Sequence, residues 1–367
     1  MYDSCDACLR RALLIAHLAP RIAGLLGTGE RRATGLLGLA EHDLIAAAAG
    51  RRVDEALAFL DALDTELESE TLAGAGFVVV CAHSPDYPPQ LRDLADAPAV
   101  LFGKGSTEVL SMVAEEPVVT IVGTRRASPY GTEVAYALGR GLGASGVPVV
   151  SGLALGIDGT AHRGCLDGGG VPLGVVASGP DVAYPRRHRS LHARVCERGI
   201  VLSELPPGTQ PYRWSFPARN RIMAALARMT LVVEAADPSG SLITAEFAKD
   251  LGRCVAAVPG RITSSVARGT NNLLKDGATP ISGTEDVLDE LFGVGMRPAP
   301  EPGAVGGAPG DPLLQAVLEA AERYDSVEAV ARATGRSVAE TRAALGRLEA
   351  EGYLVRRDLG RWERAAH

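Results

Sequence analysis

Between Gly76 and Gly293 the chain repeats one unit, a short β-branched or apolar run followed by a helical stretch. The runs are "GFVVVCA", "VVTIVGT", "VPVVSGL", "PLGVVAS", "GIVLSEL", "MTLVVEA" and "CVAAVPG". Apolar runs without polar alternation belong to strands buried on both faces, and the intervening helices supply the cover. Right-handed crossovers between successive strands then build an α/β, doubly wound sheet. Ligands of such a sheet lie beyond the carboxyl ends of its strands. Function is therefore to be sought in the residues just after each run.

Those residues are unusual. After "VVTIVG", Gly123 allows a tight turn, and the helix "GTEVAYALGRGLGA" begins with free N–H groups aimed at the strand ends, enough to hold one phosphate. Arg125 and Arg126 add forked donors there, and Ser128 and Tyr130 add hydroxyls. The G-x-G-x-x-G of dinucleotide-binding turns is absent. The next strand end, "VVSGLALGIDGTAH", places Ser151, Gly152, Gly156 and Asp158, with His162 one turn into the helix. "YPRRHRSL" supplies Arg186, Arg187 and Arg189. "YRWSFPARNRIMAAL" brings Arg213, Arg219 and Arg221 together with Asn220, Tyr212, Trp214 and Phe216, and without an acidic residue. "DPSGSLITAEFA" contributes Ser239, Gly240, Ser241 and Thr244, and "VPGRITSSVARGTNNLL" contributes Gly269, in two more small-residue loops that enter helices. A rim of glycine, hydroxyl and arginine this long exceeds one mononucleotide.

Its partner follows from charge and rings. The formal net charge is −7, so a polyanion must be met by a local concentration of cations, and of the 37 basic residues only Lys104, Lys249 and Lys275 are lysines. Arginine, the better bidentate phosphate ligand, stands at nearly every basic position. In a chain that is 4% aromatic, Tyr212, Trp214 and Phe216 crowd one short stretch beside arginines. Core packing of a loop is one reading of those rings. A stacking surface for the bases of single-stranded nucleic acid, with arginines tracking the phosphates, is the other. A duplex would hide the base faces.

The remainder divides at composition shifts. Residues 1–75 carry apolar positions at helical spacing and predict a small helical domain, with 76–295 as the α/β domain. Residues 296–311 are rich in Pro and Gly and predict a flexible linker. Residues 312–367 read as three helices and a hairpin, a winged-helix pattern, with Ser326 and Ser337 as N-caps. Arg342, Arg347, Arg356, Arg357 and Arg361 suit a duplex, whereas Glu340, Glu349 and Glu351 suit a protein partner, and both readings stand. The single C-x-x-C, Cys5 and Cys8, has no second pair and reads as free thiols in a reducing cytosol rather than as zinc ligands. No metal and no cofactor are expected. The apolar start is interrupted by His17 and preceded by acidic residues, so it reads as a helix and not a signal peptide, and no run has the length of a membrane span. A cytoplasmic location is expected.

"GTRRASPYG", "SGLALGIDGTAH", "YPRRHRSL", "SELPPGTQP", "FPARNRIMAAL", "EAADPSGSLITAEFA" and "AVPGRITSSVARGTNNLLKDGA" resemble, in order and spacing, the motifs of the DNA-processing protein A family (DprA, also called Smf) from about Gly76 to Leu291. The resemblance implies an extended Rossmann fold flanked by a sterile-alpha-motif-like helical domain and a winged helix. It implies a homodimeric protein that protects incoming single-stranded DNA and loads the RecA recombinase onto it during natural transformation. Residue by residue it implies phosphate contact at Arg125, a basic contact at Arg186, and the F-P-x-R-N-R motif at Phe216, Arg219, Asn220 and Arg221. His188 stands where the family commonly has Asn.

Two other classes compete. Rossmann-type phosphoribohydrolases carry P-G-G-x-G-T-x-x-E, and aligned on Pro238 this places Gly240 and Glu246 correctly but Leu242 and Ile243 where Gly and Thr are needed. No G-x-S-x-G is present, and Ser241 reads more simply as a helix N-cap. Hence no enzyme is expected. The winged helix leaves a transcriptional regulator as the other alternative.

Overall fold

The computed structural model describes residues 2–26, 32–296, 312–321, 323–324, 326–350, 353–356 and 362–364. Its residues fall into two compact units, Met1–Ala299 and Pro300–His367.

The first unit is built on a ten-stranded sheet. Its strands are β1 (Tyr2–Asp3), β2 (Val78–Cys81), β3 (Val100–Gly105), β4 (Val119–Val122), β5 (Val149–Ser151), β6 (Pro172–Val175), β7 (Ile200–Ser203), β8 (Met229–Val232), β9 (Cys254–Ala257) and β10 (Thr279–Pro280). They lie in the order β1-β2-β3-β7-β6-β5-β4-β8-β9-β10. Pairing is parallel except that β3 runs antiparallel to both β2 and β7. Every residue of β4, β5, β6, β7 and β8 is buried, as strands covered on both faces must be. The seven apolar runs all form strands, and the α/β, mostly parallel, doubly wound expectation holds.

Beyond β4 the order reverses direction: β5, β6 and β7 step away on one side and β8 and β9 on the other. A crevice opens at such a switch point because the two flanking crossovers leave on opposite faces. The loop after β4 and the loop after β8 face it.

The amino-terminal helices Asp6–Leu26, Glu41–Ala49 and Val53–Asp61 do not close a core of their own. Leu14, Leu18, Ile22, Leu44 and Leu60 share one hydrophobic cluster with Leu205, Trp214 and Ala218. The boundary expected at residue 75 thus falls inside a compact unit, because the strip of helix Ser215–Leu226 facing these helices is apolar.

In the second unit, helices Pro312–Ala321, Val327–Thr334 and Val338–Ala350 precede β11 (Leu354–Arg356), paired antiparallel with β12 (Trp362–Arg364). Leu314, Leu318, Val330, Leu345 and Leu348 form its core. Ser326 caps its helix by accepting from the Ala329 N–H, and Ser337 and Glu340 satisfy each other's backbone N–H groups. The linker expected at 296–311 falls outside the described residues from 297 onward, as do Arg357 and Arg361. Among the described residues, no helix is long and apolar enough to cross a membrane.

Candidate nucleic-acid interface

A cleft of about 650 Å³ lies at the switch point, between the loop after β4, the start of helix Ser215–Leu226 and the start of helix Gly240–Asp250. Its basic lining residues are Arg125, Arg213 and Arg219, and its one acid is Asp158.

Arg125 leaves the end of β4 into solvent and pairs with no carboxylate among the described residues. Its guanidinium lies over the Phe216 ring, 5.1 Å from the centroid. Phe216 is half-buried at the start of its helix, and Tyr184 packs against it at 5.6 Å with the planes tilted by 56°. Tyr184 is 47% exposed. The mouth of the cleft is thus a cation and two aromatic faces.

The wall opposite is the start of helix Gly240–Asp250. Ser239 is its N-cap and accepts from the Ser241 N–H, so the cap lies two residues before Ser241, where it was expected. A Cβ built on Gly240 would meet nothing, which leaves the backbone of this turn open to a ligand. Thr244 is buried at the cleft wall with a hydroxyl that has no hydrogen-bond partner among the described residues. An uncovered glycine turn, a hydroxyl and the positive helix end make an anion seat, although the Ser241 and Leu242 N–H groups are already held by Ser239.

Arg219 forms the floor. It is buried, donates to the Gly152 carbonyl at 3.0 Å and to the Val175 carbonyl, and burial lowers its pKa to about 10 although Asp158 opposes the shift. A Cβ on Gly152 would collide with this guanidinium, so glycine there is a packing requirement and not a ligand contact. Asp158 accepts from the Gly152 N–H at 3.1 Å, and burial raises its pKa against the pull of Arg219. Asn220 donates to the Gly240 carbonyl at 3.1 Å and so fixes the opposite wall. Gly156 adopts φ +76 where a Cβ would strike the Thr124 carbonyl, which holds the Arg125 loop against the next crossover.

Several expected contacts are corrected. Ser151 is fully buried and donates to the Ile121 carbonyl at 2.6 Å, tying β5 to β4. Arg221 is fully buried between Asp96 and Glu204, each 2.8 Å away, and does not line the cleft. Gly269 is buried, bonds the Ala235 carbonyl and does not line the cleft. The helix start after β4 was expected to seat a phosphate, but Glu234 already occupies it. Glu234 accepts from the Ser128 N–H at 2.9 Å and from the Ser128 hydroxyl at 2.6 Å, and Ser128 in turn caps the Gly131 N–H. Gly123 lines the cleft, and its missing side chain makes room for Ile157 and the Glu234 carbonyl. Of the three rings taken as a stacking surface, Trp214 is a core anchor whose indole N–H donates to the Ala19 carbonyl at 3.1 Å, and Tyr212 stacks on it. Phe216 and Trp214 both line the cleft, and it is the Phe216 ring that carries the Arg125 guanidinium. Arg186 is exposed in the turn Arg186–His188 and lies outside the cleft lining. His188 is buried and holds the Leu153 carbonyl at 3.0 Å through Nδ1, a hydrogen bond that fixes this turn to the β5 loop. Tyr184 was not singled out, although it adjoins the arginine run that was.

The family model for DNA recombination-mediator protein A matches residues 78–292. The DNA processing protein DprA of Bacillus subtilis is 40% identical over 216 residues, 59% of this chain and 72% of that one. The X-ray structure of DNA processing protein A from Streptococcus pneumoniae superposes with a TM-score of 0.62 at 32% identity, covering 78% of this chain and 96% of the other. The structure of DNA processing protein A from Helicobacter pylori, determined for its single-stranded DNA binding mode, gives a TM-score of 0.52 at 29% identity and covers 59% of this chain and 95% of its own.

Proposed function

Because the chain belongs to the DNA recombination-mediator protein A family, we propose that its DNA-processing role is to hold single-stranded DNA in the switch-point cleft. The carrying observation is the pairing of an exposed guanidinium, Arg125, with an aromatic face, Phe216, across from an uncovered helix start at Gly240. A phosphate on Arg125 and the Gly240 turn leaves its base over the ring, which a paired base cannot reach. Protection of incoming single strands, loading of RecA recombinase, action as a homodimer and a cytoplasmic location complete this reading, and the family's description as a recombination mediator supports it. The second unit, three helices and a hairpin, supports the winged-helix reading as an accessory module. Binding is favoured over catalysis because the one carboxylate in the cleft, Asp158, is spent on the Gly152 N–H and Arg219, and Ile243 lines the wall where a phosphoribohydrolase needs a hydroxyl.

Fluorescence anisotropy with matched oligonucleotides should give tighter binding to the single strand than to the duplex, with little dependence on base sequence. Equal or stronger duplex affinity would sink the proposal. Arg125→Ala should weaken binding and lower the slope of log affinity against log salt by about 0.7, the contribution of one single-strand phosphate contact. Arg126, exposed but outside the cleft lining, serves as the control whose replacement leaves the slope near that of the parent chain.

A further inference from the structure

Cys5 and Cys8, an isolated pair in the sequence, meet two more ligand types in the fold. Cys5 precedes helix Asp6–Leu26 and Cys8 sits in its first turn. Cys81 ends β2, and His83 follows it in the next turn. One ligand atom from each of the four lies within 4.8 Å of every other. The His83 Nδ1 is 3.5 Å from the Cys5 sulfur and 3.3 Å from the Cys8 sulfur. All of these thiols are free.

We propose that Cys5, Cys8, Cys81 and His83 form a closed structural zinc site. With Zn–S near 2.3 Å and Zn–N near 2.0 Å, a tetrahedron sets sulfur–nitrogen edges of about 3.5 Å and sulfur–sulfur edges of about 3.8 Å. The two sulfur–nitrogen spacings of 3.5 and 3.3 Å match that edge, and the 4.8 Å limit on all the others leaves room for one ion rather than a multinuclear cluster. Three thiolates and one imidazole are the donor set of a structural site, with no position left for substrate. The two halves come from different elements, C-x-x-C at a helix start and C-x-H at a strand end, so the cluster is not a by-product of one turn.

The place gives the ion something to do. β1 is two residues long and pairs with β2 through Tyr2 and Asp3 alone. Around it Cys8, Leu9, Ala12, Leu72, Val79 and Phe102 form only a small cluster. An ion bound here fastens the start of helix Asp6–Leu26 to the sheet. The other end of that helix brings Leu26 to the DNA cleft and the Ala19 carbonyl to Trp214. Metal binding is thereby coupled to the order of the whole amino-terminal region.

The test uses the full chain, expressed with zinc and purified under reductant, with metal measured by plasma mass spectrometry. About one zinc per chain is expected. Exchange for Co²⁺ should give the intense visible bands and near-ultraviolet thiolate charge transfer of a tetrahedral site. Cys8→Ser and His83→Ala should lose most of the bound metal, whereas Cys196→Ser, outside the cluster, should keep it. Chelation should lower the melting temperature of the parent chain and leave that of Cys8→Ser unmoved. If the variants do not fold, the parent chain alone decides, by its zinc content, its Co²⁺ spectrum and the alkylation of Cys5, Cys8 and Cys81 only after chelation. Metal-free protein without a Co²⁺ spectrum, a Cys5–Cys8 disulfide in freshly reduced protein, or full metal retention by Cys8→Ser and His83→Ala would overturn the site.

Discussion

Replacing Arg221 with alanine should destabilise the chain by about 3–5 kcal/mol, the usual cost of removing one partner from a buried ion pair. The guanidinium is fully buried, bonds the carboxylates of Asp96 and Glu204 at 2.8 Å each, and also donates to the carbonyls of Asp96 and Ala218. Truncation would leave two nearly buried carboxylates facing each other with no cation between them. Asp96 precedes β3 and Glu204 follows β7, so the triad also pins helix Ser215–Leu226 across the strand ends. Urea unfolding measures the loss. The decisive comparison is with DNA affinity under conditions where the variant stays folded: single-strand binding should then be close to that of the parent chain. A variant as stable as the parent that binds DNA poorly would return Arg221 to the phosphate role expected from its motif.

Phe216→Ala should cost about 1–3 kcal/mol of single-strand affinity, the range for one base stacked on one ring. The salt slope should barely change, because stacking releases no counterions. This is the opposite signature from Arg125→Ala, and titrations at several salt concentrations separate the two. Trp214→Ala is the structural contrast: its indole lies in the core shared with the amino-terminal helices, so its loss should appear first in unfolding. A parallel fall in salt slope for Phe216→Ala and Arg125→Ala would mean that the ring merely positions the arginine.

What could be read from the sequence was whatever is local. Strands β2 and β4 through β9 announce themselves, apart from β3, because a strand buried on both faces cannot alternate in polarity. β3 was missed since Gly103 and Lys104 break its run. The structure explains that glycine, whose Cβ would press on Val78, Ile200 and Leu202 of the two neighbouring strands. β1 and β10, two residues each, are too short to leave a pattern. At the cleft, Arg125, Phe216 and Gly240 all lie in the lining, and glycine, arginine and ring at a strand end form a local signal. Arg221 and Ser128 look the same in sequence, and only partners far along the chain, Glu204 and Asp96, and Glu234, keep them out of the cleft lining, while Trp214 lines the cleft with its indole N–H held by the Ala19 carbonyl. The surroundings of the cysteine pair are hidden from sequence for the same reason: Cys81 and His83 arrive from the end of β2.

The Arg125 guanidinium rests on the Phe216 ring, the face that the proposed binding mode gives to a base. The cleft is therefore its own competitor. In the proposed binding mode a strand exchanges this internal cation–π contact for a base on the ring and a phosphate on the freed guanidinium, so each new contact makes the other easier to form. Truncating the ring also releases the arginine, and truncating the arginine also bares the ring. The energies of the two single replacements will not sum to that of the double replacement, and the difference measures how strongly the Arg125–Phe216 contact competes with a bound strand.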